Sequence, residues 1–466
     1  MNIYSSKHAF NADSYNPVLL YRQLRHKFRK VCLLESNDYN NRSDSKSFLG
    51  LDPIVEITYE SGIFKLETEG QLSLIEPIIG ISSSQQLQIL LDSYQMIDGS
   101  KPRFFGRISF EFSHEENKIQ ASNPSDSEIP EIHLFLFRYV IQIDHFKDEG
   151  FIIKQSFTDC ELETEEIHQL LRSNNLSMFP FELLGDEQEE KTEFQFKNMV
   201  EKAQEHCRRG DVFQMVLSNS YKQAFFGDDF EVYRSLRRLN PSPYLFYFDF
   251  EDYRLFGSSP EAQLKIIDGK AEIHPIAGTV VKSGIIEDDQ KNIAFLKQDE
   301  KENSEHVMLV DLARNDLSRF CTNVRIEKFK EIQHFSHVYH IVSHVTAKSI
   351  SKQTIPILSA SFPAGTLSGA PKNKALELIA RYETSRRDFY GGAIGMLESK
   401  GDLNMAIVIR SLLSKNNVLH YRAGAGIVLD SIPEKEYQEV QHKLRAVRTA
   451  IKQAQNKNKE HENCNN

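Results

Sequence analysis

The chain has 466 residues, of which 40% are hydrophobic and 26% charged, a composition typical of a globular protein with room for more than one domain. Its net charge of -10 argues against a surface built to cover nucleic-acid phosphates, and no window is apolar and long enough to span a bilayer. The five cysteines form no CxxC pair and the N-terminus carries no apolar leader, so we expect reduced thiols and a cytoplasmic location.

Short runs of alternating apolar and polar residues predict antiparallel strands in the first part of the chain. These runs are residues 54–59, 62–66, 133–137 and 139–143. A polar, acidic segment at residues 186–192 then predicts a surface linker. It would separate an N-terminal region, residues 1–185, from a second domain, residues 193–454.

The second domain begins with apolar residues between 196 and 207 that share one helical face, and Gly210 is placed to end that helix. The strand-like run 212–217 follows, with Gln214 in its middle. Further strands are predicted at 244–250, 263–267 and 270–273, the last two joined by a hairpin turn at Asp268-Gly269, and helices at 298–312 and after Pro371 and Pro433.

Strands and helices do not alternate strictly along the chain. This order favours an α+β fold, with large mixed or antiparallel sheets and helices outside, over a doubly wound parallel sheet. The last residues, 455–466, are almost wholly polar and predict a disordered tail.

Two pairs of glutamates have a spacing that could serve a metal ion. Glu302 and Glu305 lie three residues apart on the predicted helix 298–312, and Glu436 and Glu439 repeat that spacing near the C-terminus. If the pairs converged, they could bind Mg²⁺, which takes a few carboxylates and keeps several waters. From spacing alone, two solvated helix faces are the simpler interpretation.

Two glycine-rich segments could bring main chain close to a ligand. Residues 362–372 lead into a predicted helix and could present N–H groups to an anion, and residues 422–426 lack the spacing of a dinucleotide fingerprint. By themselves both are ordinary turns. His340 sits in the apolar run 338–342, where a buried core histidine is the default interpretation.

Five segments, in their order along the chain, resemble the chorismate-utilising enzyme family. They are residues 275–279, 305–316, 363–372, 390–395 and 422–428. The resemblance covers roughly the last 270 residues, and several long motifs in order are far more specific than one short motif. It implies that residues 193–454 form a chorismate-binding catalytic domain with the fold of the anthranilate synthase large subunits.

The resemblance also implies roles for individual residues. Chorismate is a small dianion, so its pocket must supply positive charge and hydrogen-bond donors. Glu261 is the implied general acid for the departing ring hydroxyl, His340 acts near pyruvate elimination, and Thr366 positions the substrate. The implied substrate-binding residues are Gly278, Thr279, Tyr390, Arg410, Gly424, Ala425, Gly426 and Lys443.

A Mg²⁺ cofactor follows from the same resemblance. Glu305 and Glu439 match the metal ligands of the family, and Glu302 and Glu436 would support them. The metal would neutralise the ring carboxylate as charge builds during substitution.

Two positions separate the reactions within the family. Gln214 stands where isochorismate and salicylate synthases carry a lysine that activates water, and a glutamine cannot act as that base, so ammonia is the favoured nucleophile. Ala277 stands where many aminodeoxychorismate synthases carry a lysine that attacks the ring, and alanine cannot do so. The two residues favour direct amination followed by pyruvate loss, which gives anthranilate.

A feedback site for tryptophan is implied by a pair of segments. Residues 33–36, LLES, resemble the tryptophan-binding segment of anthranilate synthases, and the partner segment is present at residues 240–246. A plain buried strand is the alternative interpretation of the first segment alone. The implied tryptophan-binding residues are Leu34, Glu35, Ser36, Asn240, Pro243, Tyr244, Leu245, Phe246 and Gly257.

The ammonia would come from a partner. No cysteine lies in the nucleophile turn of a glutamine amidotransferase, so we expect a separate amidotransferase subunit to supply ammonia. Two alternatives remain open: the first component of an aminodeoxychorismate synthase, serving folate, and a tryptophan-binding paralogue without catalysis.

Overall fold

The structure is a computed structural model that describes every residue except 37–44, 121–122, 160–164, 173–178, 335–337, 351–352 and 465–466. Its strands are β1 Asn2–Asn11, β2 Val31–Glu35, β3 Lys46–Glu60, β4 Ile63–Thr68, β5 Gln71–Ile75, β6 Gln95–Met96, β7 Arg103–Ile108, β8 Ile132–Asp144, β9 Glu149–Ser156, β10 Phe181–Glu189, β11 Gln214–Gly227, β12 Tyr244–Asp249, β13 Arg254–Ser259, β14 Ala262–Ile267, β15 Lys270–Ile273, β16 Ile276–Val281, β17 Cys321–His334, β18 Val338–Ser349, β19 Gly369–Ala370, β20 Ala393–Glu398, β21 Leu403–Ile407, β22 Ser411–Lys415 and β23 Val418–Ile427.

The helices are α1 Pro17–Leu24, α2 Ser83–Asp92, α3 Phe112–Glu116, α4 Glu165–Arg172, α5 Glu193–Arg209, α6 Phe230–Leu239, α7 Ile286–Gln298, α8 Glu300–Ser318, α9 Thr354–Ser361, α10 Lys372–Tyr382 and α11 Pro433–Cys464. The predicted α+β class is confirmed. Within the described ranges, no helix is long and apolar enough to cross a membrane.

Most strands belong to one large, curled, antiparallel sheet. Strands from both parts of the chain alternate within it: β2 pairs with β12, and β7 pairs with β20. The first half of the chain therefore shares a continuous sheet with the second half. The pairing of β1 with β6 is parallel.

Several elements follow the sequence pattern closely. The predicted hairpin joins β14 to β15, and Asp268 and Gly269 take positive φ values of 49° and 78°, as a tight hairpin turn requires. Helix α5 ends at Gly210 with φ 77°, because glycine alone enters the left-handed region without steric cost. Helices after Pro371 and Pro433 are confirmed as α10 and α11.

Four expectations need correction. Residues 186–189 of the predicted linker belong to β10, which pairs with β11, and they looked like a linker because an exposed strand edge carries solvated charges. The predicted disordered tail, 455–466, is helical as far as Cys464, where it continues the helix α11 that packs on the sheet. The runs 133–137 and 139–143 form the single strand β8, and Gln214 begins β11 instead of standing in its middle.

Three hydrophobic clusters support the sheet. One packs α5, α6 and α11 on β11 and β23, and a second packs α2, α8 and α9 on β3, β8 and β18. The third is rich in phenylalanine and contains Phe48, Phe246, Leu367 and Tyr390. Across the chain there are 31 Phe and 17 Tyr but no Trp.

Candidate active site

A carboxyl group and a hydroxyl group meet where two connections approach each other. Glu261 lies between β13 and β14, and Thr366 lies in the one-turn 3-10 helix Gly365–Leu367. The Thr366 hydroxyl donates a hydrogen bond to Oε1 of Glu261 at 3.0 Å. Burial raises the pKa of Glu261 to about 7, against the opposing effects of Thr366 and of the charges on Arg410 and Lys443. Near neutral pH this carboxyl group can therefore carry a proton and donate it.

The second ionisable group is His340 on β18, which also experiences the charge of Arg410. The neighbouring strand β16 bulges between Ala277 and Thr279, and Gly278, with φ 66°, turns its carbonyl toward His340. Nδ1 of His340 donates to that carbonyl at 3.0 Å, which places the lone pair on Nε2. Burial, with the charge of Arg410, lowers the pKa of His340. The ring is therefore neutral and suited to accept a proton.

Arg410 provides the positive charge between these groups. It lies in the bend between β21 and β22 with φ 50°, a left-handed conformation that costs a residue other than glycine about 1–3 kcal/mol. Its charge acts on both Glu261 and His340. Burial lowers the pKa of Arg410, but a guanidinium stays charged in proteins. A strained, half-buried cation of this kind suits an anionic ligand.

Gly424 and Gly426 lack side chains and so leave space on the sheet beside β11. Gly424, Ala425 and Gly426 of β23 pair with β11, and a Cβ added at Gly426 would come within 2.4 Å of the Gln214 amide nitrogen. The Gln214 side chain is buried, and its Oε1 has no hydrogen-bond partner in the described part of the chain. Lys443 of α11 donates to the Gly424 carbonyl at 2.8 Å.

Tyr390 is buried and its phenol pKa is raised by burial, so it is a neutral donor. The charge of Lys443 acts on it. Of Thr279, only the backbone is described, and it pairs with His340. The structure thus links Glu261, Thr366 and the cations Arg410 and Lys443, as the resemblance implies.

The four glutamates predicted for a metal lie on two helices, α8 and α11. Oε2 of Glu302 on α8 lies 3.3 Å from the point that a Cβ at Gly278 would occupy, and Glu305 follows one helical turn later. Glu439 on α11 is half exposed and forms an ion pair with Lys443 at 2.8 Å. Within the described ranges, no group of three or more His, Cys, Asp and Glu side chains is arranged to hold a metal.

A buried ion-pair network under the site was missed by sequence reasoning. Arg387 donates to the carbonyls of Leu367 and Val216, at 2.6 and 2.8 Å, and pairs with Glu383. Arg422 pairs with the same carboxylate at 3.1 Å. The network ties the turn that carries Thr366 to β11. A charged residue after a helix is usually exposed, so the sequence carries no signal of this role.

The segments predicted to bind tryptophan meet at one cavity of about 360 Å³, which we call the effector cavity. It lies where β2, β3, β12, β20 and β21 come together. Its lining includes Leu34, Glu35, Ser36, Pro243, Tyr244, Leu245 and Phe246, seven of the nine predicted residues. A volume of this size is typical of small-molecule sites.

Three predicted residues have structural roles beside this cavity. The Glu35 carboxylate is held by Arg237 at 2.8 Å and by the Tyr233 hydroxyl at 2.7 Å, so it is engaged by α6. Asn240 donates to Ser258 and is not part of the lining. Gly257 is also outside the lining, and a Cβ there would lie 2.8 Å from Phe246. Asn240 and Gly257 therefore support the lining from behind, whereas Glu35 is part of it.

Three of the four charged residues that line the effector cavity lie outside the sequence motifs. Lys46, Arg103 and Asp402 line it together with Phe48 and Met396. Two cations and a carboxylate around an aromatic floor match the carboxylate, ammonium and ring of an aromatic amino acid. Only the pairing of distant strands reveals them.

Comparison with known proteins assigns this arrangement to a family. The model of the family described as chorismate binding enzyme matches residues 31–449. Anthranilate synthase component 1 of Aquifex aeolicus is 32% identical over 468 residues, covering 96% of this chain and 94% of the relative. The protein of the same name from Bacillus subtilis is 33% identical and covers 95% and 91%.

Solved structures give the same result for the fold. Anthranilate synthase component I from Streptococcus pneumoniae superposes with a TM-score of 0.77 at 32% identity, covering 86% of this chain and 92% of that one. The menaquinone-specific isochorismate synthase of Escherichia coli superposes with a TM-score of 0.76 at 20% identity, covering 96% and 94%. The second likeness concerns the fold alone.

Proposed function

This chain belongs to the chorismate-binding enzyme family and groups with anthranilate synthase component 1, a lyase, and we propose that it aminates chorismate with ammonia to give anthranilate and pyruvate. The observation that carries the proposal is the joined set of Glu261, Thr366, Arg410 and His340. It supplies a proton donor, a proton acceptor and a half-buried cation that acts on both of them. A dianionic substrate needs the cation, and each half of the reaction needs one of the two proton-transfer groups.

The amination step uses Glu261. Ammonia attacks the ring carbon next to the carbon that bears the carboxylate, the C–O bond to the ring hydroxyl breaks, and Glu261 gives its proton to the departing oxygen, which leaves as water. The pKa of about 7 keeps part of Glu261 protonated at neutral pH. The unpartnered Oε1 of Gln214 can accept an N–H hydrogen bond, which suits ammonia as the nucleophile.

The elimination step uses His340. The ring must lose a proton from the newly aminated carbon while the C–O bond to the enolpyruvyl group breaks, and that oxygen keeps the electron pair as pyruvate forms. A neutral imidazole with its lone pair on Nε2 can accept the proton. Arg410, Tyr390 and the main chain at Gly424 would hold the substrate through both steps.

Mg²⁺ is part of the proposal. Helices α8 and α11 each carry two of the glutamates, and two carboxylates are enough for Mg²⁺ because it keeps several waters. Glu305 and Glu439 would hold the ion, supported by Glu302 and Glu436, and it would supply positive charge to the ring carboxylate. We expect Glu439→Gln to lose Mg²⁺-dependent turnover while still binding tryptophan. Unchanged turnover in this variant would rule out the assignment.

Feedback by tryptophan is proposed for the effector cavity. Lys46 and Arg103 would receive its carboxylate, Asp402 its ammonium group, and the aromatic lining its ring. The cavity strand β12 pairs with β13, where Tyr244 is opposite Ser259, two residues before Glu261. The two sites would be coupled reciprocally, each ligand weakening the other.

The deciding experiment incubates the protein with chorismate, Mg²⁺ and ammonium, with and without tryptophan, and measures pyruvate and anthranilate together. We expect both products in equal amounts, less of both with tryptophan, and replacement of ammonium by glutamine only when an amidotransferase subunit, expected in the same cytoplasm, is added. Accumulation of aminodeoxychorismate without pyruvate would instead show the folate-pathway reaction. Tryptophan binding with no turnover would show a regulatory paralogue.

A further inference from the structure

A third region of the molecule has a partly open cavity that neither the proposed reaction nor the effector cavity uses. This cavity of about 390 Å³, which we call the acidic cavity, lies among α2, α3 and the loop after α10. Its charged and polar lining includes Tyr59, Glu111, His114, Glu115, Glu131 and Arg386. It shares no lining residue with the effector cavity.

Carboxyl groups outnumber cations around the acidic cavity. Arg386 balances Glu131, from which it lies 3.5 Å away. Glu115 accepts hydrogen bonds from the hydroxyls of Tyr59 and Ser83, both at 2.6 Å. The cation in the lining, Arg386, is paired with Glu131 instead. The lining therefore favours a positively charged occupant over an anion.

One carboxyl oxygen of Glu111 has no hydrogen-bond partner among the described residues. The residue is 6% exposed, and its Oε1 accepts the backbone N–H of Arg387 at 2.7 Å. Its Oε2 is buried and has no hydrogen-bond partner in the described part of the chain, and the same holds for Nε2 of His114. Buried polar atoms are nearly always paired, and Glu111 and His114 both line the cavity, so a hydrogen-bond donor there could complete the hydrogen bonding of both.

The electrostatics of the two side chains agree with this interpretation. Burial raises the pKa of Glu111 to about 8, with a further contribution from Asp388 and an opposing one from Arg386. Burial lowers the pKa of His114 to about 4, helped by Arg386 and Arg387, so its ring is neutral. A bound cation would favour the ionised form of Glu111. Binding should therefore release a proton near neutral pH and strengthen as pH rises toward 8.

We infer that the acidic cavity binds an ammonium group, belonging either to a free ammonium ion or to a small primary amine. Such a group brings one positive charge and at least three N–H donors, which match the free oxygen of Glu111, a lone pair on His114 and the carboxylate of Glu115. Neither the catalytic residues nor the proposed tryptophan site is needed for this binding.

Thermal unfolding tests the inference without any turnover. The melting temperature of the protein is measured in ammonium chloride, in sodium chloride and in tetramethylammonium chloride, which has no N–H donor, at equal ionic strength. We expect ammonium alone to raise Tm, by about 1–2 °C for a site that it saturates. Equal Tm values in the three salts would overturn the inference.

Paired variants locate the effect. Glu111→Gln keeps the shape of the side chain and removes the carboxyl group that would ionise when the cation binds, and it should abolish the shift that is specific to ammonium. Glu182→Gln makes the same substitution at an exposed position on β10 and should keep the shift. A shift that survives Glu111→Gln would overturn the assignment to this cavity.

Should Glu111→Gln not fold, crystals of the unaltered protein soaked in thallium(I), an electron-dense monovalent cation, give a second readout. A peak beside Glu111 that ammonium displaces would support the site, and no peak there would overturn it. Methylammonium and ethylammonium distinguish the two sources: a larger Tm shift with ammonium indicates the free ion, and a larger shift with the alkylammonium ions indicates a primary amine.

Discussion

Apart from His340 on β18, the groups proposed for catalysis stand where strands are interrupted, whereas the effector cavity is lined mainly by continuous strands. Glu261 lies between two strands, Gly278 in a bulge and Arg410 in a bend with positive φ. By contrast, Leu34, Tyr244 and the other lining residues belong to regular strands or their ends. Interrupted backbone aims single side chains at a reacting atom, while regular strands build a smooth, mostly apolar wall. The two constructions should therefore respond differently to substitution.

The sharpest test of this contrast is Glu261→Gln. The amide cannot donate the proton that the departing hydroxyl needs, so we expect kcat to fall by about 10²–10⁴-fold. Tryptophan affinity, measured by equilibrium dialysis, should stay the same because the effector cavity is untouched. An unchanged kcat would remove Glu261 from the reaction.

A smaller effect is expected at the cation. Arg410→Lys keeps the charge but loses the planar donor pair, so we expect kcat/KM for chorismate to fall by about 10–10²-fold. Steady-state pyruvate release measures it. Arg234→Lys, on the surface of α6, is the matched control and should behave as the unaltered protein. A fall of the same size in both variants would argue against a substrate contact.

The converse test fills the effector cavity. Ser36→Phe adds an aromatic ring to the cavity that is proposed to hold the ring of tryptophan. If this overpacking weakens tryptophan binding by about 1–3 kcal/mol, the tryptophan inhibition constant rises roughly 5–150-fold. Turnover without tryptophan shows whether the active site survives. Inhibition at the original concentration would mean that tryptophan binds elsewhere.

The smallest expected effect is the pH dependence of the active site. An acid whose pKa is raised to about 7 is protonated below that pH and loses its proton above it. We therefore expect kcat/KM for chorismate, at a fixed concentration of free NH₃, to fall by about tenfold for each pH unit above 7. The residual activity of Glu261→Gln should lack this decline. A decline that persists in the variant would belong to another group.

The contrast also explains what the sequence could and could not reveal. Patterns of alternation, the Asp268-Gly269 turn and the Gly210 helix end are local, and all three are confirmed because neighbouring residues determine them. The role of residues 186–189 depended on whether β11 lies beside them, which composition cannot show. For the same reason, the solvated charges of an edge strand resemble the composition of a linker.

The candidate site shows the same division. The family resemblance implies roles for Glu261, Thr366 and His340, and the structure brings the first two into hydrogen-bonding contact. The buried pairing of Arg387 with Glu383, and the cations at the effector cavity, come from segments far apart in the chain. Long-range contacts of this kind leave no periodic signal in one sequence.

The aromatic lining of the effector cavity has a spectroscopic consequence. The chain contains no tryptophan, and Tyr244 and Phe246 line the cavity proposed for that amino acid. A bound indole would then be the only indole in the sample that the protein itself holds. Tyrosine emission is absorbed by indole over short distances, so binding should quench tyrosine fluorescence and add indole emission, and the ligand would report its own occupancy without a label.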